Sequence, residues 1–240
     1  ATPSGQDARV ATGSLEIPAA RIARFLAVLP ATLLLLHLLA VASMFGDWQV
    51  GSRTSQKLYL DAENNLPTAI SAGLLLMASL LLAGVARIER HGGGAFRRHW
   101  LILSLVFLGL MLDEVASLHE LFSDRLRDAL GLGGWLFFSW VLVGGAFVLV
   151  FGLSYLRFLA HLPASTRGRF LLAGALFVSG ALLIEMLGAR AFVAGGDQAA
   201  SYVAIATLEE MLEISGVCVF IVALLRHLAA MGGGLRLDFK

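Results

Sequence analysis

The chain has 240 residues, of which 58% are apolar and 15% are charged, whereas an ordinary soluble domain has about 25% charged residues. Its 18 Lys and Arg residues against 17 Asp and Glu residues leave a formal charge of +1, far from the basic excess with which nucleic-acid-binding proteins neutralise phosphates. The sequence also lacks the glycine-rich motifs that bind nucleotide phosphates. These features exclude an ordinary soluble domain and argue against nucleic acid or nucleotide as a partner.

The apolar residues are gathered in six runs that are separated by bursts of charge. Each run is close to the roughly 20 residues that a helix needs to cross the hydrocarbon core of a bilayer. The runs cover about 22–45, 67–87, 100–121, 135–157, 170–192 and 203–226. The pattern predicts an all-α polytopic membrane protein with six transmembrane helices within residues 21–230. A flexible tail at 1–20 and a short tail at 231–240 flank this domain.

Lysine and arginine are distributed unequally between the two sides of the predicted bundle. Thirteen of them fall on the side that carries both termini, and five fall on the other side. Because positive charge is retained in the cytoplasm, the asymmetry predicts cytoplasmic N and C termini. We therefore expect a multi-pass protein of the bacterial inner membrane, with the lipid bilayer as its main partner.

Seven of the 17 acidic residues lie inside the predicted spans, where each would cost roughly 2.5–3.5 kcal/mol if it faced lipid. Most of them, together with His37 of the first span, come to lie about 10–12 Å below the outer surface at 1.5 Å of rise per residue. We therefore expect several helices to direct ionisable groups into one layer of the membrane. The seven are Asp113, Glu114 and Glu120 in the third span, Glu185 in the fifth, and Glu209, Glu210 and Glu213 in the sixth.

Helical periodicity indicates which of these groups share a face. Asp113, Ser117 and Glu120 follow one another at i, i+4 and i+7, which predicts a single stripe on the third helix. Glu209 and Glu213 stack at i and i+4 on the sixth helix. No lysine or arginine is predicted at this depth, so these carboxylates must share protons, hold a cation or line a wet cavity.

A bound divalent metal ion is the most specific of these interpretations. Helical bundles hold metal ions with inward-facing Glu and His side chains, and oxygen-rich sites suit Mg, Ca, Mn or Fe. A metal-dependent enzyme would use such an ion to activate water or oxygen while a free carboxylate moves protons. The candidate ligands are Asp113, Glu114, His119, Glu185, Glu209, Glu210 and Glu213.

Two other interpretations stay open at this point. The same region would serve as a proton or cation relay in a small transporter, with Asp113, Glu120, Glu209, Glu213 and His37 as the relay residues. Alternatively, the chain is an accessory subunit of a larger membrane complex or a homo-oligomer, in which small residues such as Gly144, Gly145 and Gly152 permit close helix contact.

Three segments carry a resemblance to known proteins. They are Leu112–Glu120 (LDEVASLHE), Leu208–Glu213 (LEEMLE) and Asp61–Pro67 (DAENNLP). In these segments the chain resembles a group of bacterial six-span integral membrane proteins to which no function has been assigned. The resemblance implies the six-span fold over most of the chain, and it implies no cofactor, substrate or catalytic residue.

Overall fold

A computed structural model describes residues 14–16, 19–45, 52–92, 94–231 and 236–238. Two short strands, β1 (Ser14–Glu16) and β2 (Arg236–Asp238), pair in antiparallel fashion with Leu15 opposite Leu237. Most of the two predicted tails lies outside the described residues. The helices are α1 (Ala19–Phe45), α2 (Ser52–Gln56), α3 (Leu66–Gly92), α4 (Arg97–Ala116), α5 (Leu118–Leu130), α6 (Trp140–His161), α7 (Ala164–Val178), α8 (Glu185–Gly195) and α9 (Ala200–Ala230).

Two further helical segments complete the bundle. A short 3-10 helix, Gly134–Leu136, precedes α6, so the predicted fourth span begins at Trp140 and not at 135. A π-helical segment, Ser179–Ile184, joins α7 and α8, and the three together form one continuous rod, Ala164–Gly195. The wider turn of a π-helix changes which face of the rod each following residue occupies.

Five of these elements are long and apolar enough to cross a membrane: α1, α3, α4, α6 and the α7–α8 rod. This confirms an all-α membrane architecture. The predicted sixth span corresponds to α9, a helix of 31 residues that packs against α1, α3, α7 and α8. It is not among the five candidate spans, so the count of six spans stays a prediction.

The hydrophobic core lies towards the end of the bundle at which α1 begins, which we call the basic end. Leu82 and Val85 of α3 pack there with Ile221 and Leu224 of α9, and all four are completely buried. Lipid is as apolar as leucine, so close packing and interhelical hydrogen bonds hold such helices together. The arginines at this end are Arg21, Arg24, Arg87, Arg90, Arg97, Arg98, Arg157, Arg167, Arg169 and Arg226.

Small residues bring neighbouring helices close together in this core. Ser79 of α3 and Ser104 of α4 each donate a side-chain hydrogen bond to the backbone carbonyl of the other, at 2.8 and 2.9 Å. A Cβ atom on Gly216 of α9 would lie 2.8 Å from the backbone nitrogen of Phe177 in α7. Glycine is therefore required where α9 crosses α7.

The predicted third span ends earlier than expected, because the helix breaks at Ser117. This residue adopts a left-handed conformation with φ of +49°, which a serine rarely occupies. α4 therefore ends at Ala116, and α5 begins a new, amphipathic helix at Leu118. The predicted stripe of Asp113, Ser117 and Glu120 on one continuous helix is wrong for this reason.

Candidate functional site

A cavity of about 820 Å³ lies between α4 and α6, with α7 and α9 forming its floor. α6 is held at both of its ends. At the basic end, the Tyr155 hydroxyl donates to the backbone carbonyl of His99 (2.8 Å). At the opposite end, the backbone N–H of Trp140 donates to Ser123 Oγ of α5 (3.1 Å). Between these contacts the two helices line the cavity from opposite sides.

The cavity is apolar along most of its length and polar at the end near Trp140. The apolar part is lined by residues such as Leu103 and Phe107 of α4, Phe147 and Phe151 of α6, and Phe220 of α9. Among the residues that the structure describes, no lysine or arginine lines it. The ionisable residues that line it, which we call the acidic centre, are Asp113, Glu114, His119, Glu210 and Glu213.

The break at Ser117 folds His119 back over Asp113. Asp113 Oδ1 accepts the backbone N–H of His119 (2.8 Å), and Oδ2 lies 3.0 Å from His119 Nδ1. A carboxylate accepts hydrogen bonds, so Nδ1 carries the proton. Burial opposes the charged imidazolium, but the hydrogen bond and charge of Asp113 outweigh it and raise the pKa of His119 to about 9.

Glu210 and Glu213 reach the acidic centre from α9, where they lie one turn apart. Both are half-buried and line the cavity. Within the described part of the chain, neither takes part in a hydrogen bond or an ion pair. Glu114 of α4 and Ser71 of α3 line the same part of the cavity. Glu210 and Glu213 therefore meet open space in place of a protein partner.

Glu185 and Glu209 form a separate pair outside the cavity lining. Trp140 Nε1 donates to Glu185 Oε1 (2.8 Å), and the carboxyl groups of Glu185 and Glu209 are close enough to interact with each other. Two neighbouring carboxyl groups repel each other when both are ionised, and sharing a proton relieves that repulsion. The π-helical segment ends immediately before Glu185, and this register brings Glu185 against both Trp140 and α9.

His37 holds three segments together by hydrogen bonds. The backbone N–H of Leu60 donates to His37 Nδ1 (3.0 Å), so the ring proton is on Nε2, which donates to Thr207 Oγ1 (2.8 Å). Thr207 Oγ1 in turn donates to the carbonyl of Val203 (2.6 Å). His37 is 1% exposed, and both ring nitrogens are engaged. The structure therefore gives it a packing role between α1, α9 and the segment before α3.

The predicted ligand set is divided by the fold. Asp113, Glu114, His119, Glu210 and Glu213 come together at the cavity, whereas Glu185 and Glu209 lie in their own pair. Glu120 of the predicted relay is exposed on α5. Over the described ranges, no three His, Cys, Asp or Glu side chains converge closely enough to hold a metal ion in their present positions.

Sequence reasoning missed two participants near the site. Trp140 drew no prediction from the sequence, but it lines the cavity and its indole N–H donates to Glu185. Asp61, between α2 and α3, accepts a hydrogen bond from the Tyr202 hydroxyl (3.4 Å). Burial raises the pKa of Asp61 to about 7, and the Tyr202 hydrogen bond opposes that shift. The DAENNLP segment drew attention to the residues around Asp61. Its hydrogen-bond partner Tyr202 could not be inferred, because it is 141 positions away in sequence.

Fold and site together define a helical membrane protein with an acidic centre at one end of an intramembrane cavity. Residues 25–228 match the family described as domain of unknown function (DUF8692). The chain therefore belongs to this family. The search of curated proteins and the search of solved structures returned no match.

Proposed function

We propose that the protein binds a divalent cation at the acidic centre, with His119 Nε2 and the carboxylates of Glu114, Glu210 and Glu213 as ligands. The observation that carries this proposal is the pair of hydrogen bonds from His119 to Asp113. Metal-binding histidines commonly donate their other ring N–H to a carboxylate, which fixes the orientation of the ring. Asp113 then orients a ligand, whereas the sequence alone predicted it to be one.

Charge supports a cation at this position. Glu114, Glu210 and Glu213 face one space, and a protonated His119 offsets one of their charges. A metal ion would replace the proton on Nε2 and balance the remaining carboxylates, since metal ligands must be deprotonated to bind. The carboxylates of Glu210 and Glu213 would turn towards His119 to complete the coordination. Oxygen-rich ligands of this kind favour Mg, Mn, Ca or Fe.

The setting that we propose is the bacterial inner membrane, with six spans and both termini in the cytoplasm. The concentration of arginines at the basic end supports this orientation. The acidic centre would then lie in the periplasmic half of the membrane. A cation held at the centre would supply an activated water, which is the chemistry that a metal-dependent membrane enzyme uses. Assembly with other membrane subunits or with a second copy stays a prediction from the sequence.

Metal analysis of the purified protein tests the proposal. We expect about one equivalent of Mg, Mn, Ca or Fe after reconstitution, and loss of that metal in the double variant Glu210→Gln/Glu213→Gln. Asp113→Asn should weaken binding by about 10- to 100-fold, which is typical when the partner of a liganding histidine is changed. The matched control is Glu120→Gln, because Glu120 is exposed on α5. A parent protein without stoichiometric metal under every condition would rule the proposal out.

A proton relay is the second candidate, and the Glu185–Glu209 pair favours it. The pair lies between Trp140 at the cavity and Tyr202, whose hydroxyl reaches Asp61 outside the spans. Carboxyl groups that exchange protons inside membranes are typical of transporters and pumps. In proteoliposomes with an internal pH dye, Glu209→Gln should abolish proton entry that Asp128→Asn, at an exposed position of α5, retains. Equal proton entry in both variants would exclude the relay.

A further inference from the structure

We infer that the apolar part of the cavity binds the hydrocarbon chain of a single-chain bilayer amphiphile with a neutral hydroxyl head group. The chain enters sideways between α4 and α6, and the head group contacts the acidic centre. This inference rests on the proposed function in one respect: it uses the acidic centre as the polar end of the site.

The size and the lining of the cavity fit such a chain. Its volume of about 820 Å³ lies within the range of about 300–1,000 Å³ that is typical of small-molecule sites. On α6 the lining runs from Trp140 to Leu159, which corresponds to about 28 Å at 1.5 Å per residue. That length is close to the thickness of the hydrocarbon core, so a bilayer chain can lie along it.

The cavity opens towards the surface that the helices present to lipid. Val143 and Phe147 of α6 are 56% and 49% exposed, and Leu171 of α7 is 54% exposed, yet all three line the cavity. A Cβ atom on Gly152 or Gly174, two further lining residues, would meet no atom within 4 Å. Because α6 is fixed at both ends, the opening lies along its middle. A molecule dissolved in the bilayer can therefore enter there without crossing water.

The acidic centre selects the head group. Glu210 and Glu213 are half-buried and line the cavity, and neither takes part in a hydrogen bond or an ion pair in the described part of the chain. Where no cation is bound, an anionic head group would be repelled by these carboxylates. A hydroxyl group donates a hydrogen bond to a carboxylate, and its oxygen also serves as a ligand for a hard cation. A neutral hydroxyl head is thus accepted whether or not a cation is bound.

Photo-crosslinking tests this inference on the full-length protein in nanodiscs. The probe is a hexadecanol that carries a diazirine in mid-chain, and the comparison probe is the matching fatty acid. Mass spectrometry should locate the alcohol adducts on α4, α6 and α7 around Phe147 and Leu171. Unlabelled hexadecanol should compete for this labelling, and in metal-free samples the fatty acid should label at least five-fold less.

Two glycines of α7 provide a matched pair of variants. Gly174 lines the cavity and Gly168 does not, and a Cβ atom added at either position would meet no atom within 4 Å. Gly174→Leu should reduce labelling at least five-fold, whereas Gly168→Leu should leave it unchanged. If Gly174→Leu does not fold, Gly152→Leu and its control Gly145→Leu on α6 make the same comparison.

Equal labelling of the cavity-filling variant and its control would overturn the inference, and so would equal labelling of metal-free samples by the fatty acid and the alcohol. The metal content of the same samples separates this result from the proposed function. Gly174→Leu should lose the chain and retain the metal, because it lies outside the acidic centre. A parent that binds the alcohol without metal would refute the cation proposal alone.

Discussion

His37 and Glu213 are both ionisable side chains within helices of the bundle, but their surroundings differ. The polar atoms around His37 are hydrogen bonded, whereas the carboxyl group of Glu213 faces open space. Around His37, both ring nitrogens, the Leu60 amide and the Thr207 hydroxyl all have hydrogen-bond partners. Around Glu213, the carboxyl group faces a cavity. A buried polar group with all its partners in place stabilises a fold. A polar group that faces open space lowers the stability of the fold, and this favours a functional role for it.

Packing also differs between the two regions: helices are in close contact in the core, and they leave open space at the cavity. Gly216 brings α9 against the backbone of α7, whereas Gly152 and Gly174 border open space on the cavity. Glycine thus has two roles in this bundle: close contact in the core and a clear passage at the cavity. The comparison can be tested by changing one region at a time.

The largest expected effect comes from filling the tight contact. Gly216→Val places a side chain where a Cβ atom would already lie 2.8 Å from the Phe177 nitrogen, and overpacking of this kind costs about 3 kcal/mol or more. Thermal unfolding in detergent should show a large loss of stability or no folded protein. Gly152→Val, whose Cβ meets no atom within 4 Å, should change stability by less than about 0.5 kcal/mol. If the two variants lost similar amounts of stability, the core and the cavity would not differ in packing as described.

Removing the hydrogen bonds of His37 should have the next largest effect. His37→Ala leaves the Leu60 amide and the Thr207 hydroxyl without this partner, which we expect to cost about 2–4 kcal/mol. At about 2–4 °C per kcal/mol for a chain of this size, the melting temperature should fall by roughly 5–15 °C. Binding of metal to the folded variant should stay unchanged. A variant that melts like the parent would contradict the packing role of His37.

Neutralising the carboxylates of α9 should change stability in the opposite direction. Glu210→Gln/Glu213→Gln removes like charges that lie one turn apart on α9 and face the same cavity, and we expect a gain of about 1 kcal/mol in the absence of metal. The melting temperature of the metal-free variant should therefore rise by about 2–4 °C. A decrease would mean that these carboxylates stabilise the bundle, and the comparison with His37 would then fail.

The smallest effect concerns pH. The pKa of Asp61 is raised to about 7 in the fold, above its value of about 3.9 in an unfolded chain. The folded state therefore binds more protons between these values, and stability falls as the pH rises from about 4 to 7. Solvent near Asp61 screens the charge, so we expect a difference of about 1 kcal/mol. Melting curves at pH 5, 6, 7 and 8 should show a flatter dependence for Asp61→Asn, and an unchanged slope would refute this assignment.

Hydropathy was sufficient to predict the long helices, because a membrane span must be about 20 apolar residues long whatever it packs against. The first predicted run, 22–45, corresponds to α1 (Ala19–Phe45). The convergence of Asp113, Glu114, Glu210 and Glu213 on one space also followed from their depth. The role of His37 was undecided, since its partners Leu60 and Thr207 are 23 and 170 positions away in sequence.

The two departures from regular α-helix were not predictable from periodicity. No glycine or proline marks Ser117, although the charged, amphipathic sequence after it was a signal that the apolar span had ended. The π-helical segment SGALLI resembles any apolar stretch of a span. A fixed rotation of 100° per residue therefore carried the stripe of Asp113, Ser117 and Glu120 across the break, and it could not indicate the direction of Glu185 after the π-helical segment.

The π-helical segment has a consequence for how this family can vary in length. Removing one residue from Ser179–Ile184 would allow the rod to return to regular α geometry. Six π-helical residues turn through nearly the same angle as five α-helical ones, so Glu185 would keep its direction relative to α7 after that deletion. Substitutions that forced all six residues into α geometry would instead turn Glu185 by about 100°, away from Trp140 and Glu209. Across homologous sequences we therefore expect either a π-helical turn of this length or a regular α-helix that is one residue shorter.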